Sequence, residues 1–305
     1  LAAYRAKNYD KALDLGKKLA ELDPNNPSHV YNLGCLYSLK GDGDSAVKSL
    51  EKAGQLGFDD LSLLESDEDL ASIRNRPEYK AVVETVKKNR GKTLETYREK
   101  AEKSEPLIYI PEGISTEKPV GCVVVLHPFG GTAEWIVERW KGAAKKLNML
   151  LIAPRAVIPQ GDGFRWQDAE LTDKIVMKAV EHAKSKHKID DKKMVISGFS
   201  EGGTMTFVMA IRHGDVFCGA IPVGGTLPDP IAGWDEIKKR KLPRFVVMIG
   251  DQEPKSTLDN NRDAAKKLEE AGAKVKLNVY PGIGHEFPKD TEKEMSEAVS
   301  AVTGG

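Results

Sequence analysis

From Leu107 to the end, short apolar runs alternate with longer amphipathic ones. The apolar runs are "LIYIP", "VGCVVVLH", "MLLIAP", "KMVISG", "GAIPVGG", "RFVVMIG" and "KVKLNVYPG". Between them lie "WIVERWKGAAKKL", "TDKIVMKAVEHAKSK", "EGGTMTFVMAIRHG" and "NNRDAAKKLEEAG", in which apolar residues recur at helical spacing. Strands that are apolar without alternation are buried on both faces, and the intervening helices supply the cover. The pattern therefore predicts an α/β domain, with a mostly parallel sheet and helices on both sides, over residues 107–305. Open sheets of this kind bind ligands at the carboxyl ends of their strands. Chemistry is expected just after each apolar run.

The residues before this domain follow a different rule. "KNYDKALDLGKKLAELDPNN" and "KGDGDSAVKSLEKAGQLGFDD" align at a spacing of 34, which sets Ala12 on Ala46 and Leu22 on Leu56. Leu33, Gly34 and Tyr37 precede the second copy at helical spacing. Such a period, with small residues where two helices cross, resembles the tetratricopeptide repeat family over about one and a half units. It implies a small all-α region over residues 1–90. The first unit lacks most of its first helix, so the sequence is expected to begin inside a repeat, and cytoplasmic and exported locations both stay open. Asp67 is a candidate cap and Pro77 suits the first turn of a last helix ending near Asn89. Residues 91–106, with a glycine and many charges, read as a linker.

Composition removes several function classes. Lys plus Arg and Asp plus Glu number 46 each, a formal net charge of zero, which disfavours nucleic acid or an anionic membrane as the main partner. The longest apolar run, Val120 to Leu126, has strand length and is far short of the ~20 residues of a membrane span. Cys35, Cys122 and Cys218 are too dispersed for a metal site or a disulfide framework, and buried thiols are expected.

The chemistry concentrates at Gly198-Phe199-Ser200-Glu201-Gly202, a G-x-S-x-G sequence between a predicted strand and a predicted helix. A serine on that sharp turn forms a nucleophile elbow, and the helix start aims N–H groups and a positive dipole end at it. A hydroxyl attacks only when a base takes its proton. Proteins with this elbow order their triad as nucleophile, acid, histidine. Of His29, His127, His182, His187, His213 and His285, only His285 follows a later strand and a candidate acid. His213 suits the negative end of a helix, and His127 reads as a brace. Asp251 and Glu253, both after "RFVVMIG", are the candidate acids.

At this point the chain resembles the α/β-hydrolase family of serine esterases, over about residues 107–305. Within it, "GFSEGG", "PRAVIPQGDGFRWQD" and "GDVFCGAIPVGG" are most similar to the carboxylesterase, phospholipase and acyl-thioesterase branch. The resemblance puts Glu253 of Gly250-Asp251-Gln252-Glu253 at the acid position. It implies an oxyanion hole made by the Glu201 N–H and an N–H of "LHPFGGTAEW": Phe129, with Gly130 as the alternative. Pro128 departs from the family's His-Gly-x-Gly sequence and has no N–H to donate. The branch usually has Gln where this chain has Glu201, and a carboxylate there is expected to disfavour anionic substrates. Trp166 and Gly130 are candidate pocket residues, with Trp166 either lining the cleft or packing on the sheet.

The resulting expectation is hydrolysis of short-chain or aryl carboxylic esters through Ser200, His285 and Glu253, with no cofactor or metal. The segment "TLPDPIAGWDEIKKRKLP" is too short for a sizeable lid domain, so an open cleft is expected. Alternatives are a feruloyl or acetylxylan-type esterase acting on polysaccharide esters, a peptidase, and a non-catalytic interaction protein working through its repeats. The repeats are expected to self-associate or to pack within the chain.

Overall fold

The computed structural model describes residues 2–304 apart from 116, 167 and 230–232. It divides into two compact units, Leu1–Arg98 and Glu99–Gly305.

The first unit is all helical. It comprises α1 (Ala2–Arg5), α2 (Tyr9–Leu22), α3 (Pro27–Leu39), α4 (Gly43–Gln55), α5 (Leu61–Ser66), a 3-10 turn at Glu68–Leu70, and most of α6 (Pro77–Lys103). The starts of these helices are written locally. The side chains of Asn8, Asn26, Asp42 and Asp60 each accept a hydrogen bond from a backbone N–H two or three residues on. Such caps are worth about 1 kcal/mol each. Asp67 caps the 3-10 turn through the Asp69 N–H at 3.0 Å and accepts from the Tyr31 hydroxyl at 2.7 Å. Where α3 meets α4, a Cβ on Gly34 would stand 2.9 Å from Leu50 and 3.3 Å from the Ala46 carbonyl, so the contact needs a glycine. Around it lies a core of Val30, Leu50, Leu64, Leu70 and Val86, with Tyr31 stacked on Phe58 at 4.4 Å.

The expected linker at 91–106 is helix as far as Lys103. Gly91 is a single glycine, costing about 1 kcal/mol among good helix formers, and carries no break by itself. Asn89, expected near the helix end, does not cap it. Its side-chain amide donates to the Gly54 and Phe58 carbonyls at 2.7 and 3.0 Å. The two units divide within this helix, between Arg98 and Glu99.

The second unit is built on a seven-stranded sheet. In chain order its elements are β1 (Leu107–Tyr109), β2 (Val120–Leu126), α7 (Ala133–Leu147), β3 (Leu150–Ala153), β4 (Ile158–Gln160), β5 (Gly163–Arg165), α8 (Ala169–Lys186) and β6 (Ile189–Phe199). They continue with α9 (Glu201–Arg212), β7 (Gly219–Val223), α10 (Gly233–Ile237), β8 (Arg244–Gly250), α11 (Lys255–Glu270), β9 (Val275–Tyr280) and α12 (Thr291–Thr303). The strand order is β1-β3-β2-β6-β7-β8-β9, parallel except for β1, which runs antiparallel on β3. Alternate residues serve opposite faces. Val123, Val125, Val195, Ile221, Val246 and Met248 pack with Trp140 of α7 and Val299 of α12. The intervening Val124, Ile196, Ala220 and Val247 are equally buried. On their side, Phe245 of β8 meets Phe207 of α9 at 6.2 Å.

Two smaller features were not foreseen. β4 and β5 form a separate hairpin, turned at Gly161-Asp162, with Gly161 at φ 57°. The segment between β7 and β8 carries the short α10, although part of the stretch read as too short for a lid, residues 230–232, lies outside the described residues. The three cysteines are unpaired; Cys35 and Cys122 are buried and Cys218 is half-buried.

Candidate active site

Ser200 follows β6 and precedes α9, with φ 57° and ψ −118°. A non-glycine residue there stores roughly 1–3 kcal/mol, which the surrounding contacts must offset. They do so through close backbone packing. A Cβ on Gly198 would collide with the Gly202 carbonyl, and one on Gly202 with the Leu126 carbonyl of β2. The Ser200 N–H donates to the Val223 carbonyl at 2.9 Å, tying the elbow to the end of β7. Both flanking glycines are therefore required by the turn that lifts Ser200 above the sheet edge.

Two loops bring partners to it. His285, in the loop after β9, lies with Nε2 2.8 Å from the Ser200 Oγ and Nδ1 2.6 Å from Glu253 Oε1. Glu253, in the loop after β8, has a side chain only 3% exposed, against 50% for His285. A carboxylate only accepts, so Nδ1 carries the proton and Nε2 presents its lone pair to the serine hydroxyl. Gly224, just after β7, lies beside both at φ 57°, a left-handed conformation that favours glycine.

Asp251, the rival acid, turns elsewhere. Its Oδ1 accepts from the Gly282 N–H at 2.7 Å. Its own N–H donates to the Tyr280 carbonyl at 3.0 Å, and the Gln252 N–H to the Ile283 carbonyl at 2.9 Å. The segment from Asp251 to Gln252 thus zips the histidine loop to the acid loop, with Asp251 as brace and Glu253 as the carboxylate against the imidazole.

The candidate oxyanion donors separate cleanly. As first residue of α9, Glu201 has an N–H without an intrahelical acceptor. Phe129 is half exposed, and its N–H meets no backbone acceptor among the described residues. Gly130 is different. Its N–H donates to the Phe164 carbonyl at 2.9 Å, so the fallback donor is already engaged. Gly130 instead serves at φ 69°, where a left-handed turn is needed to reach the hairpin.

Trp166 lines no cleft. It is 1% exposed, its Nε1 donates to the His127 carbonyl at 2.9 Å, and its N–H donates to Glu201 Oε2 at 2.9 Å. His127 lies tilted against its ring, 4.8 Å between centres, and hydrogen-bonds the Pro128 carbonyl through Nδ1. Burial pushes the His127 imidazole down to about 4, which keeps it neutral at pH 7.

Sequence reading missed Arg165. Its guanidinium lies 3.3 Å from Glu201 Oε1 and 4.9 Å from the centre of the Phe129 ring. The Glu201 carboxylate is therefore paired, with the Arg165 guanidinium and the Trp166 N–H. Together with the bridge of Gly131 to Phe164, the hairpin clamps the loop carrying Phe129 from two directions. The signal available was Gly161-Asp162 between two short strand-like runs, a hairpin turn. Arg165→Ala is expected to lower kcat about tenfold with a smaller change in KM, since it loosens donors that act mainly in the transition state. Equal kcat in steady-state kinetics would exclude the clamp.

Sequence and structure comparisons bear on this unit. The model of the Dienelactone hydrolase family matches residues 161–303. The crystal structure of esterase PE8 superposes with a TM-score of 0.54 at 16% identity, covering 65% of this chain and 99% of that one. The second unit has the α/β-hydrolase fold. A structure of an uncharacterized protein from Bacillus cereus ATCC 10987 covers 99% of this chain and 96% of its own, with a TM-score of 0.53 at 19% identity. Poly(3-hydroxyalkanoate) depolymerase C of Paucimonas lemoignei is 29% identical over 129 residues, 38% of this chain and 30% of the depolymerase. The chain spans between 30% and 54% of the length of three curated relatives it matches.

Proposed function

We propose that the α/β-hydrolase unit is a serine carboxylic ester hydrolase. The observation that carries the reading is the unbroken hydrogen-bonded line from Ser200 through His285 to Glu253. His285 takes the Ser200 proton as the oxygen attacks the ester carbonyl, and Glu253 stabilises the imidazolium. The N–H groups of Phe129 and Glu201 receive the oxyanion. His285 then protonates the leaving alcohol, and a water activated by the same imidazole frees the acid. Short-chain and aryl esters are the favoured substrates. Wild-type protein is expected to turn over 4-nitrophenyl acetate and butyrate and to be labelled by a fluorophosphonate probe at Ser200. Absence of both would sink the reading.

The helical unit is read as tetratricopeptide-like, on the strength of the Gly34 contact between α3 and α4. Leu15, Leu19 and Leu22 stand exposed on α2, spaced along one helix face, and support self-association through this unit. Light scattering at micromolar concentration would exclude that by finding a monomer.

A further inference from the structure

A cavity of about 440 Å³ adjoins the triad, and His285 itself forms part of its wall. That is within the range of small-ligand clefts, ~300–1,000 Å³. Three aromatic rings line it beside the charged Arg139, Glu286 and Lys289. Phe199, the residue before the nucleophile, has its ring 5.1 Å from the His285 imidazole and stacks on Phe287 at 4.8 Å. Trp135 of α7 closes the group, 6.1 Å from Phe199 and 6.3 Å from Phe287. Arg139 lies over the Trp135 ring at 5.1 Å. Trp135 and Phe287 are only partly buried, so their rings meet the cavity.

Which half of an ester enters is set by the proton. When the tetrahedral intermediate collapses, the bond from carbonyl carbon to leaving oxygen breaks. That oxygen takes the proton from Nε2, while the carbon stays bound to the Ser200 Oγ. The leaving oxygen must lie within hydrogen-bond reach of Nε2, ~2.6–3.2 Å. The alcohol substituent therefore starts at the imidazole edge and extends along the wall that His285 shares. We infer that this cavity is the leaving-group site and that it selects an aromatic alcohol, phenolic or arylalkyl. Rings at these spacings favour another ring over an aliphatic group of the same size, because edges and faces pair electrostatically beyond simple burial. The inference rests on Ser200 being the nucleophile.

The test compares 2-phenylethyl acetate with 2-cyclohexylethyl acetate, which share the acyl group and have alcohols of similar acidity. Wild-type kcat/KM is expected to favour the phenyl ester by about tenfold. In Trp135→Leu and Phe287→Leu that ratio is expected to fall towards one. On wild-type protein alone, 2-phenylethanol is expected to inhibit several-fold more strongly than 2-cyclohexylethanol, so the test stands even if neither variant folds. Turnover of both acetates at equal rates, with equal inhibition, overturns the aromatic site and leaves ester hydrolysis standing. A wild-type preference retained in both folded variants also overturns it. No turnover of either ester sinks the inference and the hydrolase reading together.

Discussion

His285→Ala is expected to lower kcat for 4-nitrophenyl acetate by ~10⁴-fold or more, Ser200→Ala by a similar factor, and the double variant hardly further. The reason is that the two side chains perform one act. The Ser200 hydroxyl lies 2.8 Å from Nε2 and is a poor nucleophile unless its proton leaves as the carbon–oxygen bond forms. Removing either partner removes that act entirely, so nothing remains for the second substitution to take away. Rate remaining above the uncatalysed reaction would come from the proposed oxyanion donors at Phe129 and Glu201, which neither substitution replaces. Fluorophosphonate labelling is expected to vanish in Ser200→Ala and to slow in His285→Ala. Losses that multiply, giving a double variant thousands of times slower than either single one, would show that the two act independently and would refute the proposed triad.

Glu253→Gln is expected to cost ~10³–10⁴-fold in kcat at neutral pH, with little change in thermal midpoint. Glu253 lies 2.6 Å from Nδ1 in a nearly closed environment, 3% exposed. A carboxamide there has no charge to stabilise the imidazolium. Its NH₂ end also favours the tautomer with the proton on Nε2, which cannot accept from Ser200. The companion Asp251→Asn is expected to cost less than about tenfold, since Asp251 braces Gly282 through one hydrogen bond and touches neither ring nitrogen. Kinetics on the two variants separate the carboxylates directly. If Asp251→Asn proved the more damaging, the acid assignment would have to move.

The α/β architecture was legible because its cause is repeated in every strand. Residues such as Val123 and Val124, apolar side by side, admit only a strand covered on both faces. Ser200 was legible for a related reason: Gly198 and Gly202 mark a turn where backbones touch, and such contacts exclude any side chain. His285 emerged from order along the chain. Linker and pocket were harder. Residues 91–103 hold one glycine among helix formers, and composition there did not reveal that Asn89 would be drawn into contacts with Gly54 and Phe58. An aromatic near a predicted cleft suggests lining, yet Trp166 spends both of its N–H groups on His127 and Glu201 and is sealed.

What this sequence determined by itself is what depends on neighbours along the chain: the strand and helix periods, the cap at Asp67, and the glycines around Ser200. What the tertiary structure alone decided depends on residues far apart in number. Asp251 and Glu253 differ by two positions and have similar chemistry, so only the loop's path shows that one carboxylate meets His285 and the other Gly282. Arg165 likewise gains its meaning from Glu201 and Phe129, each 36 positions from it in opposite directions along the chain. Hydrogen bonds and ion pairs act over about 3 Å of space, and separation along the chain leaves no local trace of them.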